Sequence, residues 1–157
     1  MANGMLSVWR WGLIAVVLAT MAGCRSQAPE KLQTKASGAT IPWNHDHADG
    51  MAKAKEAGKP VMVDVFATWC APCKLLDENV FSRAEVVEAS KAFVTVRVDG
   101  DKNPDFVTKW KVGGYPTVLF LTPDGKEIGR SIGAVPYQDM MESMEGAERR
   151  AVEEAKR

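Results

Sequence analysis

The chain has 157 residues, of which 46% are hydrophobic and 25% charged, as in a soluble globular protein with one domain and an extension. Twenty Lys and Arg residues balance twenty Asp and Glu residues, which argues against a nucleic-acid partner held by a basic surface.

The first 23 residues have the pattern of an export signal. Arg10 precedes an apolar run over residues 11–21, which is shorter than the ~20 residues of a spanning helix and fits a secretory signal. Ala22-Gly23-Cys24 follows and resembles a bacterial lipobox, in which the cysteine is lipidated and becomes the first residue. Met21 stands where lipoproteins usually have Leu, so cleavage without a lipid is an alternative, and an uncleaved anchor is another.

An export signal places the protein outside the cytoplasm, where disulfides persist. The lipoprotein resemblance implies membrane attachment through lipid on Cys24, facing the periplasm, and Arg25 after it favours the outer membrane. Residues 26–39 are small and polar and indicate a flexible tether. The expected organisation is a signal peptide over 1–23, a lipidated N-terminus and tether over 24–41, and a folded domain over 42–157.

The folded part is expected to begin with a helix and a strand. The helix runs from about His45 to Glu56, with Asp46 as N-cap and Gly58 at its end. Metal binding by His45 and His47 is an alternative that helix geometry disfavours, because residues two apart face different ways. The strand covers residues 61–66 and reads as buried, interrupted by one acid, Asp64.

Two cysteines stand at the junction between this strand and the next helix. Cys70 and Cys73 are followed by helix formers from Lys74 to Asn79. Cys70 is therefore expected near a helix N-terminus, where backbone N–H groups and the helix dipole stabilise a thiolate. By itself the pair also fits a structural disulfide or half a zinc site, although the chain offers few further Cys or His ligands for zinc.

The rest of the chain is also expected to alternate between helices and strands. Ser82 to Glu85 matches a capping box and predicts a helix to about Ser90. Asn103 as N-cap, followed by Pro104 at the first helical position, predicts a helix to about Lys111. Strands are expected over 92–99, 118–121 and 126–132, with a hairpin turn at 122–125. Pro136 begins a last helix with a solvated tail from Arg149, and its core face is formed by Tyr137, Met140, Met141, Met144 and Ala147.

The cysteine motif and the order of elements resemble the thioredoxin superfamily over about residues 42–146. The family has a strand with a buried Asp, then W-C-x-P-C-K, then a helix, and Asp64 and residues 69–74 match this pattern. The resemblance implies an α/β, thioredoxin-like fold with a central mixed β-sheet flanked by helices. The spacing from Lys59 to Ser82 is most similar to the C-terminal domain of the DsbD family of transmembrane thiol:disulfide interchange proteins.

The resemblance also implies the roles of the two cysteines and the acids near them. Cys70, exposed, exchanges with the partner's sulfur, and Cys73, more buried, resolves the mixed disulfide. Asp64 relays the proton of Cys73 as a general base. Arg97 replaces a Lys of thioredoxins and is expected to hold Asp64 ionised, because Arg stays charged. Asp77 shares a helix face with both cysteines and is a second acid near the thiols or simply a surface acid.

A further set of residues is implied to bind the substrate. Tyr115-Pro116 matches the cis-proline loop that lies against the cysteines in the family, and Gly133 matches a glycine of the peptide groove. The expected substrate-binding residues are Trp69, Pro72, Tyr115, Pro116 and Gly133.

The sequence therefore predicts an extracytoplasmic thiol:disulfide oxidoreductase, mainly a disulfide reductase, that needs no metal and no cofactor. Pro72 favours a low-potential reductant, because the oxidants of the superfamily have His at that position. The expected partners are proteins with disulfides or thiols, and a membrane electron donor of the disulfide-exchange type.

Three alternatives remain. One is an oxidase or isomerase on the same site. Another is a copper metallochaperone, although copper-handling members use C-x-x-x-C with a distant histidine. The third is a pseudo-enzyme that only binds partners, which is disfavoured because no residue of the motif is lost.

Overall fold

A computed structural model of the chain describes Gly38 and residues 40–157. The expected signal peptide, the lipidation residue Cys24 and nearly all of the tether lie outside the described residues. Among the residues that are described, no helix is long and apolar enough to cross a membrane. The elements are α1 (His47–Ala57), β1 (Val61–Phe66), α2 (Ala71–Leu76), a π-helical turn (Asp77–Phe81), α3 (Ala84–Ser90), β2 (Val94–Asp99), α4 (Pro104–Lys109), β3 (Thr117–Leu121), β4 (Glu127–Ile132) and α5 (Tyr137–Glu154).

The four strands form one mixed sheet in the order β2-β1-β3-β4. β1 pairs with β2 in parallel, with Val63 opposite Val96, whereas β3 pairs antiparallel with β1 and with β4. A parallel crossover half and an antiparallel hairpin half therefore share one sheet. The predicted mixed sheet flanked by helices is confirmed.

Alternation along β1 divides the apolar residues between two cores. Val61, Val63 and Val65 pack in a cluster with Ala54 of α1 and Phe106 of α4. Met62 points to the other face of the sheet. It belongs to a second cluster that joins α2, the π-helical turn and α5, and whose other members include Leu76, Val80, Phe81, Met140 and Met144. Asp64, two residues after Met62, lies on the same face of the sheet, so a buried acid faces the helix that carries the cysteines.

The predicted caps of α1 are confirmed. The Asp46 carboxylate accepts hydrogen bonds from the backbone N–H groups of Ala48 and Asp49, and Gly58 ends the helix with a left-handed φ of 63°. Inside α1, Gly50 lies against β2 so closely that a Cβ there would be 2.4 Å from Cγ2 of Val96. A residue that is normally unfavourable inside a helix here permits close packing of helix on sheet.

The predicted capping box at Ser82 is wrong. The helix that begins at Ala71 continues through the π-helical turn to Phe81, and the Ser82 hydroxyl donates 2.6 Å to the carbonyl of Glu78 in that turn. Arg83 occupies the N-cap position of α3, without a side-chain cap. The Ser82 side chain thus binds a carbonyl of the wide turn before it and does not cap the helix after it.

The side chain of Asn103 also differs from its predicted capping role. Asn103 does stand at the N-cap position of α4, with Pro104 as the first helical residue, but its side chain does not cap the helix. Its amide instead donates 2.8 Å to the carbonyl of Asp99 at the end of β2. It therefore ties down the loop between β2 and α4.

The tail from Arg149 is packed, which corrects its expected solvation. Ala151 is buried, and Nε of Arg150 donates a hydrogen bond to the carbonyl of Ile128 in β4. Glu154 pairs with Lys126 at 2.7 Å. The predicted core face of α5 is largely confirmed, since Met140, Met144 and Ala147 are buried and Tyr137 and Met141 are partly so.

The chain before α1 runs along the outer edge of β2. Ile41, at the end of the expected tether, is buried in the core. The backbone of Asn44 forms a parallel bridge with Val96, bonding to Thr95 and Arg97 on either side of it. This segment supplies the ring of Trp43, which packs edge-on against Phe81 at 5.3 Å.

Candidate active site

Cys70 and Cys73 form a disulfide at the start of α2, with their Cα atoms 5.3 Å apart. Cys70 is the N-cap residue, and its Sγ accepts a hydrogen bond of 3.1 Å from the backbone N–H of Cys73. An N–H group directed at Sγ from the first turn of a helix stabilises negative charge on that sulfur once the disulfide is reduced. The geometry therefore suits Cys70 to the thiolate chemistry expected of it.

Cys70 is not exposed in the disulfide form, which corrects the expected contrast between the two cysteines. Cys70 is 2% and Cys73 is 3% exposed. The pair clusters with Ala67, and the rings of Phe66 and Tyr115 pack against this cluster. A partner must therefore reach the sulfurs through the surface formed by the surrounding loops.

Asp64 is buried on the sheet face that α2 covers. Its side chain is 1% exposed, and its Oδ1 has no hydrogen-bond partner among the described residues. Burial raises the pKa of Asp64 to about 7, Arg97 acts to lower it, and Asp77 adds a smaller increase. The expectation that Arg97 holds Asp64 firmly ionised is therefore wrong, because the loss of solvation outweighs the attraction of the guanidinium.

Arg97 lies directly across from Asp64 in the parallel pairing of β1 and β2. Its Nε is 3.1 Å from Oδ2 of Asp64, but this contact lacks hydrogen-bond geometry. Its Nη2 donates to both carboxylate oxygens of Asp77, at 2.9 and 2.8 Å. The guanidinium also lies 4.5 Å from the ring centroid of Phe66 and 5.6 Å from that of Trp43. One cation is thus held by two carboxylates and two aromatic rings.

The structure places Asp77 at the first residue of the π-helical turn. Its side chain is 38% exposed and is linked to Asp64 through Arg97. Asp77 is thus part of the buried charge network and is not an isolated surface acid.

Trp69 and Tyr115 form an aromatic rim next to the disulfide. Trp69 is 68% exposed, its ring contacts that of Tyr115 edge-on at 6.0 Å, and its Nε1 donates to Asp101 at 2.7 Å. The Tyr115 phenol lies over Gly100, where a Cβ would be 2.2 Å from the hydroxyl oxygen. Burial raises the pKa of Tyr115, and Asp101 and then Asp99 raise it further. The rim is therefore held in place by the loop after β2.

The loop before β3 completes this surface. The Tyr115–Pro116 peptide bond is cis, as the resemblance implies. The N–H of Gly133, which has a φ of 83°, donates 2.8 Å to the carbonyl of Pro116. Pro72 and Ile132 are exposed, the latter to 65%. Exposed apolar residues and a fixed backbone therefore surround the disulfide.

Within the described part of the chain, no three His, Cys, Asp or Glu side chains are arranged as a metal site. The ring of His47 packs edge-on against Phe106 at 5.2 Å. His45 lies before the N-cap residue of α1.

Sequence reasoning missed two residues that shape the site. Asp101 lies 32 positions from its partner Trp69, and no local pattern links them. Trp43 reaches Arg97 only because the chain before α1 follows the edge of β2. The single signal in the sequence was a pair of acids at the end of a strand, Asp99 as its last residue and Asp101 two residues later.

The fold and the site together define a class of protein. A disulfide at a strand-to-helix junction, a buried acid behind it and a cis-proline loop beside it are the parts of a dithiol–disulfide exchange centre.

Comparison with known proteins identifies the family. The model of the thioredoxin-like family matches residues 42–123, more than half of the chain. A thioredoxin H-type from Oryza sativa subsp. indica is 40% identical over 92 residues, 58% of this chain and 72% of that protein. The solution structure of a thioredoxin from Thermus thermophilus superposes with a TM-score of 0.62 at 26% identity, over 68% of this chain and 86% of that one.

A thiol:disulfide interchange protein also matches. The thiol:disulfide interchange protein DsbD of Klebsiella pneumoniae is 41% identical over 80 residues, which are 48% of this chain but only 13% of DsbD. The chain belongs to the thioredoxin-like family, and its Cys70–Cys73 pair makes it a thiol:disulfide oxidoreductase.

Proposed function

We propose that the protein is an extracytoplasmic disulfide reductase that acts on other proteins through Cys70 and Cys73. The observation that carries the proposal is the disulfide at the N-cap of α2, on the helix that covers an acid with a pKa of about 7. Pro72 supports the reducing direction, because it offers no N–H or side-chain donor that would further stabilise the reduced form.

The reaction begins with the reduced pair. The Cys70 thiolate attacks one sulfur of the substrate disulfide, forming a mixed disulfide while the other substrate sulfur leaves as a thiolate. Cys73 then gives its proton to Asp64, and the Cys73 thiolate attacks Sγ of Cys70. The second substrate sulfur leaves, the Cys70–Cys73 disulfide forms, and two electrons have passed to the substrate. A carboxyl group with a pKa near 7 can accept and return this proton at neutral pH.

The surrounding residues are proposed to bind the partner and tune the acid. Trp69, Pro72, Tyr115, Pro116 and Gly133 form the surface on which an extended substrate segment lies. Asp77 acts on Asp64 through the shared Arg97, which makes it a positioning residue of the proton relay.

The location and the electron donor belong to the same proposal. Residues 1–23 are removed as a signal peptide, Cys24 is lipidated, residues 24–41 tether the domain of residues 42–157, and the domain faces the periplasm from the outer membrane. Similarity to a part of DsbD supports a membrane electron donor of the disulfide-exchange type. Mass spectrometry of the mature N-terminus should find lipid on Cys24, and an unmodified cysteine there would contradict the anchor.

Trapping tests the function directly. Cys73→Ser leaves Cys70 able to attack but removes the thiol that releases the product, so mixed disulfides with natural partners should accumulate. Cys70→Ser, the matched control, should trap far fewer. A reductase should trap proteins whose disulfides must be opened, together with a membrane donor. An oxidase would instead trap newly exported proteins and an oxidising membrane protein.

Redox equilibration with glutathione gives an independent test of direction. A potential near or below about −220 mV would support a reductase of the thioredoxin kind, whereas one near about −120 mV would indicate an oxidase. The difference of about 100 mV corresponds to roughly 5 kcal/mol for a two-electron couple, so the measurement separates the two clearly.

A further inference from the structure

A second concave surface lies beside the disulfide, between the helix that carries it and the start of α5. This groove has a volume of about 400 Å³ and is lined by Leu75, Asn79, Arg83, Ala134, Val135 and Tyr137, among others. We call it the Arg83 groove. Its floor and walls are largely apolar, and Leu75 is 52% exposed.

Two residues that line the Arg83 groove, Leu75 and Ala134, lie close in sequence to residues at the disulfide. Leu75 follows Cys70 by five residues, which is about 7–8 Å along a helix axis. On the opposite wall, Ala134 directly follows Gly133, whose N–H binds the carbonyl of Pro116. A peptide whose cysteine reaches Cys70 therefore has neighbouring residues within reach of the groove, because an extended chain advances about 3.3 Å per residue.

Arg83 is fixed in this groove and has no acidic partner among the residues that the structure describes. Its Nε donates 3.0 Å to the carbonyl of Asn79, and its guanidinium lies 4.5 Å from the ring centroid of Tyr137. None of the ion pairs among the described residues includes Arg83. Its two terminal nitrogens are therefore available as the paired donors that a carboxylate accepts.

The surroundings of Arg83 favour binding of an anion. Because Nε and the ring of Tyr137 already hold the guanidinium, little side-chain freedom is lost when a carboxylate binds. By contrast, Arg130 donates hydrogen bonds from Nε and Nη2 to the carboxylate of Glu127. Its charge is therefore already paired within the domain. The apolar walls of the groove and the guanidinium of Arg83, which has no acidic partner among the described residues, together suit a segment that carries both aliphatic and acidic side chains.

We propose that the Arg83 groove binds a segment of the protein substrate in which an aliphatic residue lies against Leu75 and Val135 and an Asp or Glu carboxylate pairs with Arg83. This inference rests on the proposed function, since it assigns a substrate preference to the same disulfide. It predicts that the enzyme selects cysteines whose neighbouring sequence is acidic and aliphatic.

The test uses end-blocked peptides with one cysteine in a disulfide with thionitrobenzoate. Reduced protein attacks the peptide sulfur and releases coloured thionitrobenzoate with its electron pair, and Cys73 then frees the peptide thiol while the Cys70–Cys73 disulfide forms. Matched peptides carry Leu together with Glu, Gln or Lys two to four residues from the cysteine, on either side. Amide-blocked C-termini ensure that only the side-chain carboxylate differs.

In single-turnover experiments with peptide in excess, wild-type protein should reach half of its maximal rate of thionitrobenzoate release at a Glu-peptide concentration roughly three- to fivefold below that for the Gln counterpart, the range of a partly exposed charge pair, with the maximal rate unchanged. The preference should shrink as salt is added. Arg83→Gln should abolish it. Arg149→Gln should keep it, because this variant removes an equal charge about 18 Å along α5 from Tyr137.

Several outcomes would overturn the inference. Equal half-saturating concentrations of the Glu and Gln peptides in the wild-type protein, or a preference that survives Arg83→Gln, would exclude the groove as the acidic subsite while leaving thiol exchange intact. Failure to release thionitrobenzoate from any peptide would refute the proposed function, and this inference with it. A change in sedimentation of the free protein on Arg83→Gln would show that a second copy occupies the groove instead.

Discussion

Arg97 donates hydrogen bonds of 2.9 and 2.8 Å to the two oxygens of Asp77, but it meets Asp64 at 3.1 Å without hydrogen-bond geometry. The half-exposed acid therefore holds the cation more firmly than the buried acid does. The pKa of Asp64 is raised although an arginine faces it, because burial removes the solvation of its carboxylate while the positive charge of Arg97 is shared with Asp77.

Removing the charge of Asp77 should lower the pKa of Asp64. Asp77→Asn abolishes a repulsion and frees the guanidinium for Asp64, and both changes favour the ionised carboxylate. NMR titration of the Asp64 carboxyl carbon should give a pKa below the wild-type value of about 7, and the pH–rate profile of disulfide exchange should move in the same direction. Glu78→Gln, which neutralises the exposed acid next to it, should shift neither. An unchanged or higher pKa in Asp77→Asn would show that the sharing of Arg97 does not tune the relay.

The raised pKa of Asp64 should also appear in the stability of the oxidised protein. The folded-state value of about 7 lies above the unfolded value of 3.8, so the folded protein retains a proton that the unfolded chain releases between these limits. The free energy of unfolding should therefore fall as the pH rises from about 4 to about 7. Asp64→Asn should remove this loss, stabilising the protein by about 2–4 kcal/mol at pH 8 and little at pH 4.

Urea unfolding at the two pH values measures the difference. Asp105→Asn, at an exposed acid of α4, is the matched control and should show no such pH-dependent gain. Equal stabilisation by Asp64→Asn at both pH values would mean that the carboxyl is not protonated in the folded protein near neutral pH.

Asp101 should control the ionisation of the aromatic rim. Asp101→Asn removes a negative charge that raises the pKa of Tyr115 while keeping an oxygen that can accept the hydrogen bond from Trp69. NMR titration of the Tyr115 ring should therefore show a lower pKa than in the wild-type protein. Asp139→Asn, in the first turn of α5, is a suitable control. A Tyr115 pKa that does not respond to Asp101→Asn would show that Asp101 does not contribute and would leave burial and Asp99 as the causes of its raised value.

The contact between Gly50 and Val96 should make Gly50→Ala destabilising. Alanine is about 1 kcal/mol better than glycine inside a helix, but the added Cβ would lie 2.4 Å from Cγ2 of Val96. We expect a net loss of about 1–3 kcal/mol in the free energy of unfolding, typical of an overpacked core. Gly113→Ala adds the same methyl group where no atom lies within 4 Å and should change stability by less than about 0.5 kcal/mol. Stabilisation by Gly50→Ala would show that α1 moves away from β2 at little cost.

The elements predicted from local pattern are those whose determinants are local. The buried run of β1 with its single acid, the Asp46 cap and the glycine end of α1 each depend on residues within a few positions of one another, and the structure confirms them. The strand-to-helix junction at W-C-A-P-C-K, residues 69–74, is likewise determined by the residues directly before and after it. These features made the fold and the cysteine pair predictable.

What could not be predicted depends on contacts between distant segments. Ser82 looked like an N-cap because its neighbours match a capping box, but the π-helical turn before it places the carbonyl of Glu78 within its reach. The shared guanidinium of Arg97 likewise depends on that turn, which begins at Asp77, and on the pairing of β1 with β2. Neither the width of a helical turn nor the solvation of a buried acid is encoded in a short window of sequence.

The parallel bridge between Asn44 and Val96 fixes the end of the sheet at which the chain enters the domain. The chain that precedes Asn44 arrives beside Thr95, near the amino end of β2, whereas Cys70 follows the carboxyl end of the parallel strand β1. Six residues of strand span about 20 Å, so the point of arrival and the redox centre lie at opposite ends of the sheet. Protein coupled to a bead or an electrode through a residue introduced at position 40 should thus present its disulfide away from the point of attachment.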